Sequence, residues 1–478
     1  MLIDSKTKII ATIGPASQNK DVLRQLFLAG VDVCRLNFSH SRHEEHLEII
    51  NTILELNKEL NTNIAILADL QGPKIRTGEV ENNSVLLKKD NIVTFTTQYC
   101  IGTENQLYIS YDDFARDARK GDIILIDDGK IKLVVEETDE KTNVIAKIIH
   151  GGIVSSKKGI NLPDTKISIP SLTEKDRKDL DFILSQDIDW VALSFVRDVN
   201  DIIELKDIIK KSKKNIKVIA KIEKPEAIKN INDIIEISDG IMVARGDLGV
   251  EISFNEVPAL QKIIIEKCIN HNKPVIVATQ MMESMITNFR PSRAEASDVA
   301  NAVFDEADAL MLSGETSVGE YPIEVIKSMQ SIINYCEKSP YIRKAKSKPD
   351  LKSPSFLSDS ICYNACKMAN QTNAKVIVSI TNNLNTTYRI SGNRPKANII
   401  VFTDNKAFLK QISLIWGVRG YVLEKTDNDN NIEDAIKFSI EKLKQKGIIE
   451  KENIVVHICS VPTDTREPAN MIKITYVK

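Results

Sequence analysis

The segment from Trp190 to Gly314 decides the fold, because it holds five β-branched runs separated by helix-length amphipathic stretches. The runs are WVALSF from Trp190, KVIAKI from Lys217, GIMVARG from Gly240, PVIVATQ from Pro274 and ALMLSG from Ala309. Three similar runs lie upstream: KIIATIG from Lys8, DVCRLNF from Asp32 and IAILADL from Ile64. Strands that alternate with helices favour parallel pairing, and eight such units predict an α/β fold, a closed (β/α)8 TIM barrel.

The regular alternation stops after the third upstream run, at Gly72–Pro73. From there, short alternating strands and turn signals such as Asp127–Asp128–Gly129 predict an inserted β-barrel lid domain over residues 73–168. The barrel then takes residues 1–72 and 169–342. An insertion after a barrel strand lies above the mouth of the barrel, so we expect this domain to close over a ligand.

The last part of the chain, residues 343–478, predicts a separate doubly wound α/β domain. It follows a polar stretch, Arg343 to Pro354, that is typical of a linker. Helix and strand patterns alternate again beyond this stretch, as in VIVSI from Val376 and NIIVF from Asn398. This domain is a possible place for effector binding or for contacts between subunits.

The composition excludes several classes of protein. Among 478 residues, 64 Lys and Arg nearly balance 66 Asp and Glu, so no global field would attract nucleic acid or an anionic membrane. The chain has no apolar run of about 18 residues, and its start lacks the pattern of a signal peptide. Seven scattered cysteines fit reduced thiols. We therefore expect a cytoplasmic protein with no nucleic-acid or membrane partner.

Polar side chains follow the predicted strands at their carboxyl ends, where TIM barrels carry their catalytic groups. The set comprises Arg35, Asn37, Ser39, Asp69, Lys221, Glu223, Arg245, Asp247, Thr279, Ser313 and Glu315. Burying this many ionisable groups is costly unless a ligand or a metal compensates their charge. We interpret the set as a ligand site, and a structural network of paired charges is the alternative.

Two carboxylates in this set point to a divalent metal. Glu223 and Asp247 follow adjacent strands with no Cys or His nearby, so they offer the hard oxygen ligands that Mg²⁺ or Mn²⁺ prefers. Lys221 lies two residues before Glu223, and both side chains should leave the strand on the same face. An amine beside a divalent ion suits an enolate or a transferring phosphoryl group. A simple ion pair between Lys221 and Glu223 remains the alternative.

Eight long strings, spread over the barrel and the lid, resemble the pyruvate kinase family. They are TKIIATIGPAS from Thr7, CRLNFSH from Cys34, SKKGINLP from Ser156, AKIEKPEAI from Ala220, MVARGDLGVE from Met242, ATQMMESM from Ala278, RPSRAEASDVANAV from Arg290 and MLSGET from Met311. The resemblance implies phosphoryl transfer from phosphoenolpyruvate to ADP in glycolysis, giving pyruvate and ATP, by a homotetramer. Another metal-enolate barrel enzyme, a lyase or mutase acting on an oxo acid, is the alternative.

The resemblance also implies roles for individual residues. Glu223 and Asp247 would hold the divalent ion, and Lys221 would steady the phosphoryl group and the forming enolate. The backbone amides of Gly246 and Asp247, with Thr279, would bind the substrate carboxylate. Thr279 and Ser313 would deliver the proton that converts enolpyruvate into pyruvate.

Further residues would contact phosphates in the family's pattern. Arg35 would bind substrate phosphate, and Arg76 would contact phosphate as part of the catalytic set. Lys158 in the lid would reach the nucleotide phosphates on closure, and Asn37 and His40 are also candidate nucleotide-binding residues.

The chain departs from the family at a monovalent-ion site. Residues matching Asn37, Ser39 and Asp69 hold potassium in members that carry a Glu where this chain has Lys74, and Leu70–Gln71 replaces Thr–Lys. The ammonium group of Lys74 can supply the positive charge itself. We therefore expect that K⁺ is not required.

The C-terminal domain departs from the family at its effector loops. Thr381 to Thr386 is only a partial match to the family's Thr/Ser-rich loop, and Cys459 to Asn470 has no glycine. Close approach of the backbone to a phosphate is harder without glycine. We expect weak or altered effector control.

Overall fold

A computed structural model describes residues 5–339, 348–424, 432–460 and 469–478. The first part of the chain forms three strands and two helices of the barrel: β1 Lys8–Thr12, α1 Lys20–Ala29, β2 Val33–Asn37, α2 His43–Leu60 and β3 Ala65–Asp69. The three strands are buried along nearly their whole length, as parallel strands covered on both faces are.

The insertion follows β3 and is built from short strands. Its elements are a 3-10 turn Glu81–Asn83, β4 Val85–Leu87, β5 Ile92–Thr96, β6 Gln106–Tyr108, α3 Phe114–Asp117, β7 Ile123–Ile126, β8 Ile131–Thr138, β9 Asn143–His150, β10 Gly152–Val154 and β11 Ile160–Asn161. They form a six-stranded sheet of order β11-β7-β8-β9-β5-β6 and a two-stranded sheet, β10-β4. Alternate residues of β8 and β9 point into a separate apolar core.

The chain then returns to the barrel. Its elements are α4 Glu174–Ser185, β12 Trp190–Leu193, α5 Val199–Lys211, β13 Lys217–Ile222, α6 Pro225–Lys229, α7 Ile231–Ile237, β14 Gly240–Ala244, α8 Arg245–Glu251, α9 Val257–Asn270, β15 Val275–Ala278, a 3-10 turn Glu283–Ile286, α10 Arg293–Phe304, β16 Ala309–Leu312, α11 Gly314–Ser317 and α12 Pro322–Glu337. Eight parallel strands close in the order β1-β16-β15-β14-β13-β12-β3-β2. The predicted TIM barrel is confirmed.

The C-terminal part forms the expected α/β domain. Its elements are α13 Phe356–Gln371, β17 Val376–Ile380, α14 Leu384–Gly392, β18 Asn398–Thr403, α15 Lys406–Gln411, a 3-10 turn Ile412–Leu414, β19 Val418–Val422, α16 Ile432–Gln445, β20 Ile454–Cys459 and β21 Met471–Tyr476. The sheet order is β19-β18-β17-β20-β21, with β21 antiparallel at the edge. Residues 343–347 of the expected linker and 461–468 of the expected effector segment lie outside the described residues.

Four aspartates fix the amino-terminal end of the barrel. Asp32, Asp189, Asp239 and Asp308 directly precede β2, β12, β14 and β16, and each accepts a hydrogen bond from a backbone N–H of the neighbouring strand. Each also pairs with a cation, and the cations on Asp189 and Asp308 come from the C-terminal domain. The amino-terminal end of the barrel, which we call its closed end, therefore anchors the C-terminal domain. The carboxyl ends of the strands remain open toward the lid.

Among the described residues, no helix is both long and apolar enough to cross a membrane.

Candidate active site

A buried lysine lies at the centre of the polar cluster at the carboxyl end of the barrel. The Nζ atom of Lys221 is 2.9 Å from Oε1 of Glu223 and 3.2 Å from Oδ1 of Asp69, and it donates a 2.7 Å hydrogen bond to Ser194. Burial alone would lower the pKa of Lys221, but Asp69, Glu223 and Asp247 outweigh burial and raise it well above its ordinary value. The lysine is therefore a permanent cation.

Arg35 adds a second cation to the same network. Its Nε donates a 2.7 Å hydrogen bond to Asp69, and its Nη1 donates a 2.9 Å hydrogen bond to Thr12. Burial alone would raise the pKa of Asp69, but Lys221 and Arg35 together hold it below its ordinary value. Asp69 therefore aligns two cations toward the mouth of the barrel.

Glu223 and Asp247 lie close enough to interact electrostatically. Burial raises the pKa of Glu223, and the negative charge of Asp247 raises it further against the opposing effect of Lys221. The Oε2 atom of Glu223 accepts a 2.7 Å hydrogen bond from the N–H of Phe195, which fixes the direction of the carboxylate. The carboxylate oxygens of these two residues are suitable ligands for a divalent cation, whose positive charge would relieve the repulsion between them.

This donor set is small. Within the ranges that the structure describes, no group of three or more His, Cys, Asp or Glu side chains could hold a metal. Mg²⁺ commonly uses one or two protein carboxylates together with waters and substrate phosphates. Glu223 and Asp247 therefore fit a metal whose coordination shell is completed by substrate oxygens. They fit a structural metal site, in which the protein supplies every ligand, less well.

Gly246 and Thr279 contact each other at the start of α8. The N–H of Gly246 donates a 2.7 Å hydrogen bond to Oγ1 of Thr279, which donates in turn to the carbonyl of Ala278. Thr279 has a positive φ of 70°, and Arg245 donates to its carbonyl at 2.9 Å. The resemblance assigns the N–H of Gly246 to a substrate carboxylate. In this structure the N–H donates to the hydroxyl of Thr279 instead, and a carboxylate oxygen would replace that hydroxyl as the acceptor.

Ser313 and Glu315 follow β16 and have different surroundings. The Oγ atom of Ser313 is buried, and no hydrogen-bond partner for it is found among the described residues. Glu315 is 2% exposed and accepts backbone hydrogen bonds from Ser313 and Met282. Glu315 therefore braces two strand-end loops, which is a structural role, whereas the buried hydroxyl of Ser313 has no hydrogen-bond partner among the described residues.

The loop after β2 carries the candidate monovalent-ion residues. The Oδ1 atom of Asn37 accepts a 3.1 Å hydrogen bond from the N–H of Ser39, and His40 is exposed. Although His40 is exposed overall, partial desolvation of its ring lowers its pKa, and the positive charges of Lys74, Arg76 and Arg35 lower it further. The ammonium group of Lys74 thus acts electrostatically on this loop.

The lid carries two further candidates. Arg76 donates a 3.1 Å hydrogen bond to the carbonyl of Lys157. Lys158 forms a 2.8 Å ion pair with Asp127, whose pKa is lowered by this contact and by Lys130. The ammonium of Lys158 is therefore held within the lid by Asp127.

Sequence reasoning missed four residues of the site. Ser194 and Phe195 directly follow β12, and the strand-end rule that selected the other residues would have found them. Lys224 and Glu251 form a buried 2.9 Å ion pair beside the metal candidates. The pairing of Lys224 with Glu251, by contrast, could not have been predicted, because the sequence carries no signal that brings these two residues together.

Comparisons with known proteins show similarity over nearly the whole chain. The family model "Pyruvate kinase, barrel domain" matches residues 4–326, and "Pyruvate kinase, alpha/beta domain" matches residues 359–475. A pyruvate kinase of Geobacillus stearothermophilus is 40% identical over 471 residues, which cover 98% of this chain and 80% of the relative. A pyruvate kinase of Staphylococcus aureus (strain USA300) is 40% identical over 474 residues, 99% of this chain and 80% of the relative.

A solved structure gives the same result. The crystal structure of a pyruvate kinase from Cryptosporidium parvum is similar with a TM-score of 0.90 and 33% sequence identity. The match covers 99% of this chain and 97% of that structure. The similarity therefore extends over the barrel, the insertion and the C-terminal domain together.

Proposed function

The chain belongs to the pyruvate kinase family, and from that premise we propose that it transfers the phosphoryl group of phosphoenolpyruvate to ADP, giving pyruvate and ATP. The observation that carries the proposal is the position of the Lys221 ammonium, 2.9 Å from Glu223 and within the field of Asp247. Phosphoryl transfer depends mainly on positioning and charge neutralisation, and this cluster supplies both.

Glu223 and Asp247 would hold Mg²⁺ or Mn²⁺. Such an ion supplies Lewis-acid stabilisation for the phosphoryl and enolate oxygens of the substrate. Lys221 stabilises negative charge on the same oxygens, because its buried ammonium is already aligned by Asp69 and Ser194.

Arginines and the lid bind the phosphates in this proposal. Arg35 is a planar donor for the substrate phosphate, and Arg76 and Lys158 bind the nucleotide phosphates once Lys158 exchanges Asp127 for them. Asn37 and His40 contribute polar contacts to the nucleotide. The amides of Gly246 and Asp247 and the hydroxyl of Thr279 bind the substrate carboxylate.

The proton that completes pyruvate formation would pass through hydroxyl groups. The buried Oγ of Ser313, for which no partner is found among the described residues, and the Thr279 hydroxyl support this role. These two hydroxyls act from the strand ends β15 and β16, which adjoin one another in the barrel.

Lys74 replaces potassium in the proposal. Its charge acts on the loop that contains Asn37, Ser39 and His40, where a monovalent cation would otherwise be held with Asp69. A tethered ammonium carries the same charge as the ion.

The remaining proposals concern organisation. We assign residues 1–72 and 169–342 to the catalytic barrel, 73–168 to the lid and 343–478 to the C-terminal domain. The protein acts in the cytoplasm as a homotetramer with weak or altered effector control.

The test is a lactate dehydrogenase-coupled assay under Mg²⁺ titration, with and without ADP. Pyruvate formation that requires both ADP and the metal supports the proposal. Pyruvate formation that is independent of ADP would favour the alternative, another metal-enolate barrel enzyme such as a lyase or mutase. Addition of a sugar phosphate or AMP to the same assay tests effector control, and a large activation would contradict the expectation.

A further inference from the structure

Lys224 is a buried cation to which the proposed reaction assigns no role. It follows Glu223 directly and is 7% exposed, and Pro225 restricts its backbone to an extended conformation with φ −119° and ψ 147°. We infer that Lys224 is a positioning residue. It holds two supports of the proposed metal ligands at a fixed separation: helix α8, which carries Asp247, and the backbone of Phe195, which orients Glu223. This inference rests on the proposed metal site.

The first support is the helix that carries Asp247. The Nζ atom of Lys224 is 2.9 Å from Oε1 of Glu251, the last residue of α8, and both side chains are less than 10% exposed. Asp247 lies in the first turn of the same short helix. An ion pair at the end of a two-turn helix therefore restricts the position of the carboxylate one turn away.

The second support is the backbone that orients Glu223. The ammonium of Lys224 lies 5.9 Å from the centroid of the Phe195 ring, a cation–π contact. Phe195 has a positive φ of 55°, which is unfavourable for an aromatic residue, and its N–H donates to Oε2 of Glu223. The contact with Lys224 helps to retain the conformation that directs this N–H at the carboxylate.

The ion pair also reaches the lid. Asn161, in β11, donates a 2.8 Å hydrogen bond to the same Oε1 atom of Glu251 that Lys224 contacts. Asn161, Lys224, Asp247 and Glu251 line one cleft between the lid and the barrel. One glutamate oxygen thus joins the segment after β13, the end of α8 and the lid beside the metal candidates.

A purely structural ion pair is the alternative, since a buried pair stabilises a fold without acting on function. The two roles differ in what they predict for metal affinity. Residues that orient metal ligands typically change affinity about 10–100-fold when they are replaced. A structural pair changes the stability of the protein and leaves metal affinity unaltered.

The experiment measures Mn²⁺ binding to the full-length protein by electron paramagnetic resonance of free Mn²⁺, without substrates. Lys224→Met is expected to weaken Mn²⁺ binding at least about tenfold. The metal concentration for half-maximal rate should rise in parallel, with a smaller change in the rate at saturating metal. Lys224→Arg, which keeps the charge, should restore most of the affinity.

A double variant separates positioning from the cost of an uncompensated buried charge. Lys224→Met with Glu251→Gln removes both charges, so its thermal stability should recover relative to Lys224→Met while Mn²⁺ affinity stays low. Recovery of wild-type Mn²⁺ affinity in the double variant would overturn the inference, as would unchanged affinity in Lys224→Met.

Two further variants serve as references. Lys206→Met removes another ion-paired lysine, 3.1 Å from Asp239 at the closed end of the barrel, and should leave Mn²⁺ affinity unchanged. Glu223→Gln should abolish Mn²⁺ binding. If Glu223→Gln binds Mn²⁺ normally, the metal site fails and this inference with it. If Lys224→Met binds Mn²⁺ normally while Glu223→Gln does not, the proposed metal site stands and only the inference about Lys224 fails.

Discussion

The ammonium of Lys221 lies 2.9 Å from the carboxylate of Glu223, and both residues are less than 10% exposed. A metal at Glu223 would therefore sit beside a second positive charge. The two charges together would neutralise a phosphorylated enol, which carries several negative charges at the moment of transfer.

Replacement of Lys221 should impair turnover far more than binding. We expect Lys221→Met to lower turnover at least about a hundredfold, the scale of losing one preorganised charge at the reacting group. Steady-state assays and direct measurement of phosphoenolpyruvate binding separate the two effects. Lys206→Met is the matched control, and near-normal turnover in Lys221→Met would refute the catalytic role.

Potassium should not activate the enzyme. At constant ionic strength, replacement of tetramethylammonium by potassium should leave the rate unchanged, because Lys74 supplies the charge near Asn37 and His40. Lys74→Glu should make the rate depend on potassium. A strong rise in the wild-type rate with potassium would reject the proposed role of Lys74.

Loss of Arg394 should destabilise the junction between the barrel and the C-terminal domain. Arg394 forms a two-point ion pair with Asp308, with distances of 3.1 and 3.0 Å, and both side chains are at most 5% exposed. Arg394→Met would leave Asp308 buried without this partner, so we expect a loss of roughly 3–5 kcal/mol in the free energy of unfolding, measured by urea denaturation.

The control for this variant is Lys437→Met, which breaks an exposed pair with Asp434. Solvent screens such pairs, so stability should change little. Equal effects of Arg394→Met and Lys437→Met would contradict the structural role of the Arg394–Asp308 pair.

His457 should make stability depend on pH. Burial and, to a lesser extent, the positive charge of Lys473 lower the pKa of His457 from 6.5 to about 4, against the opposing charge of Glu433. Because the unfolded chain binds this proton more readily, the contribution of neutral His457 is complete above about pH 6.5 and is lost as pH falls toward 4. His457→Gln should flatten the decline of the urea midpoint over this range, and an unchanged slope would contradict the assignment.

The sequence by itself determined the fold class, since eight β-branched runs alternating with helical segments favour one closed parallel arrangement. It also predicted Lys221, Glu223, Asp247 and Thr279 as site candidates, because side chains at the carboxyl ends of barrel strands converge at one end. Each of these inferences uses only local periodicity and the geometry of parallel strands.

Only the tertiary structure decided which charges meet. Lys224 pairs with Glu251, Lys158 with Asp127, and Arg394 with Asp308. These partners are separated by 27, 31 and 86 positions respectively. Nothing in local sequence specifies such pairs, because a side-chain contact depends on how segments that are distant along the chain pack against each other in the folded protein.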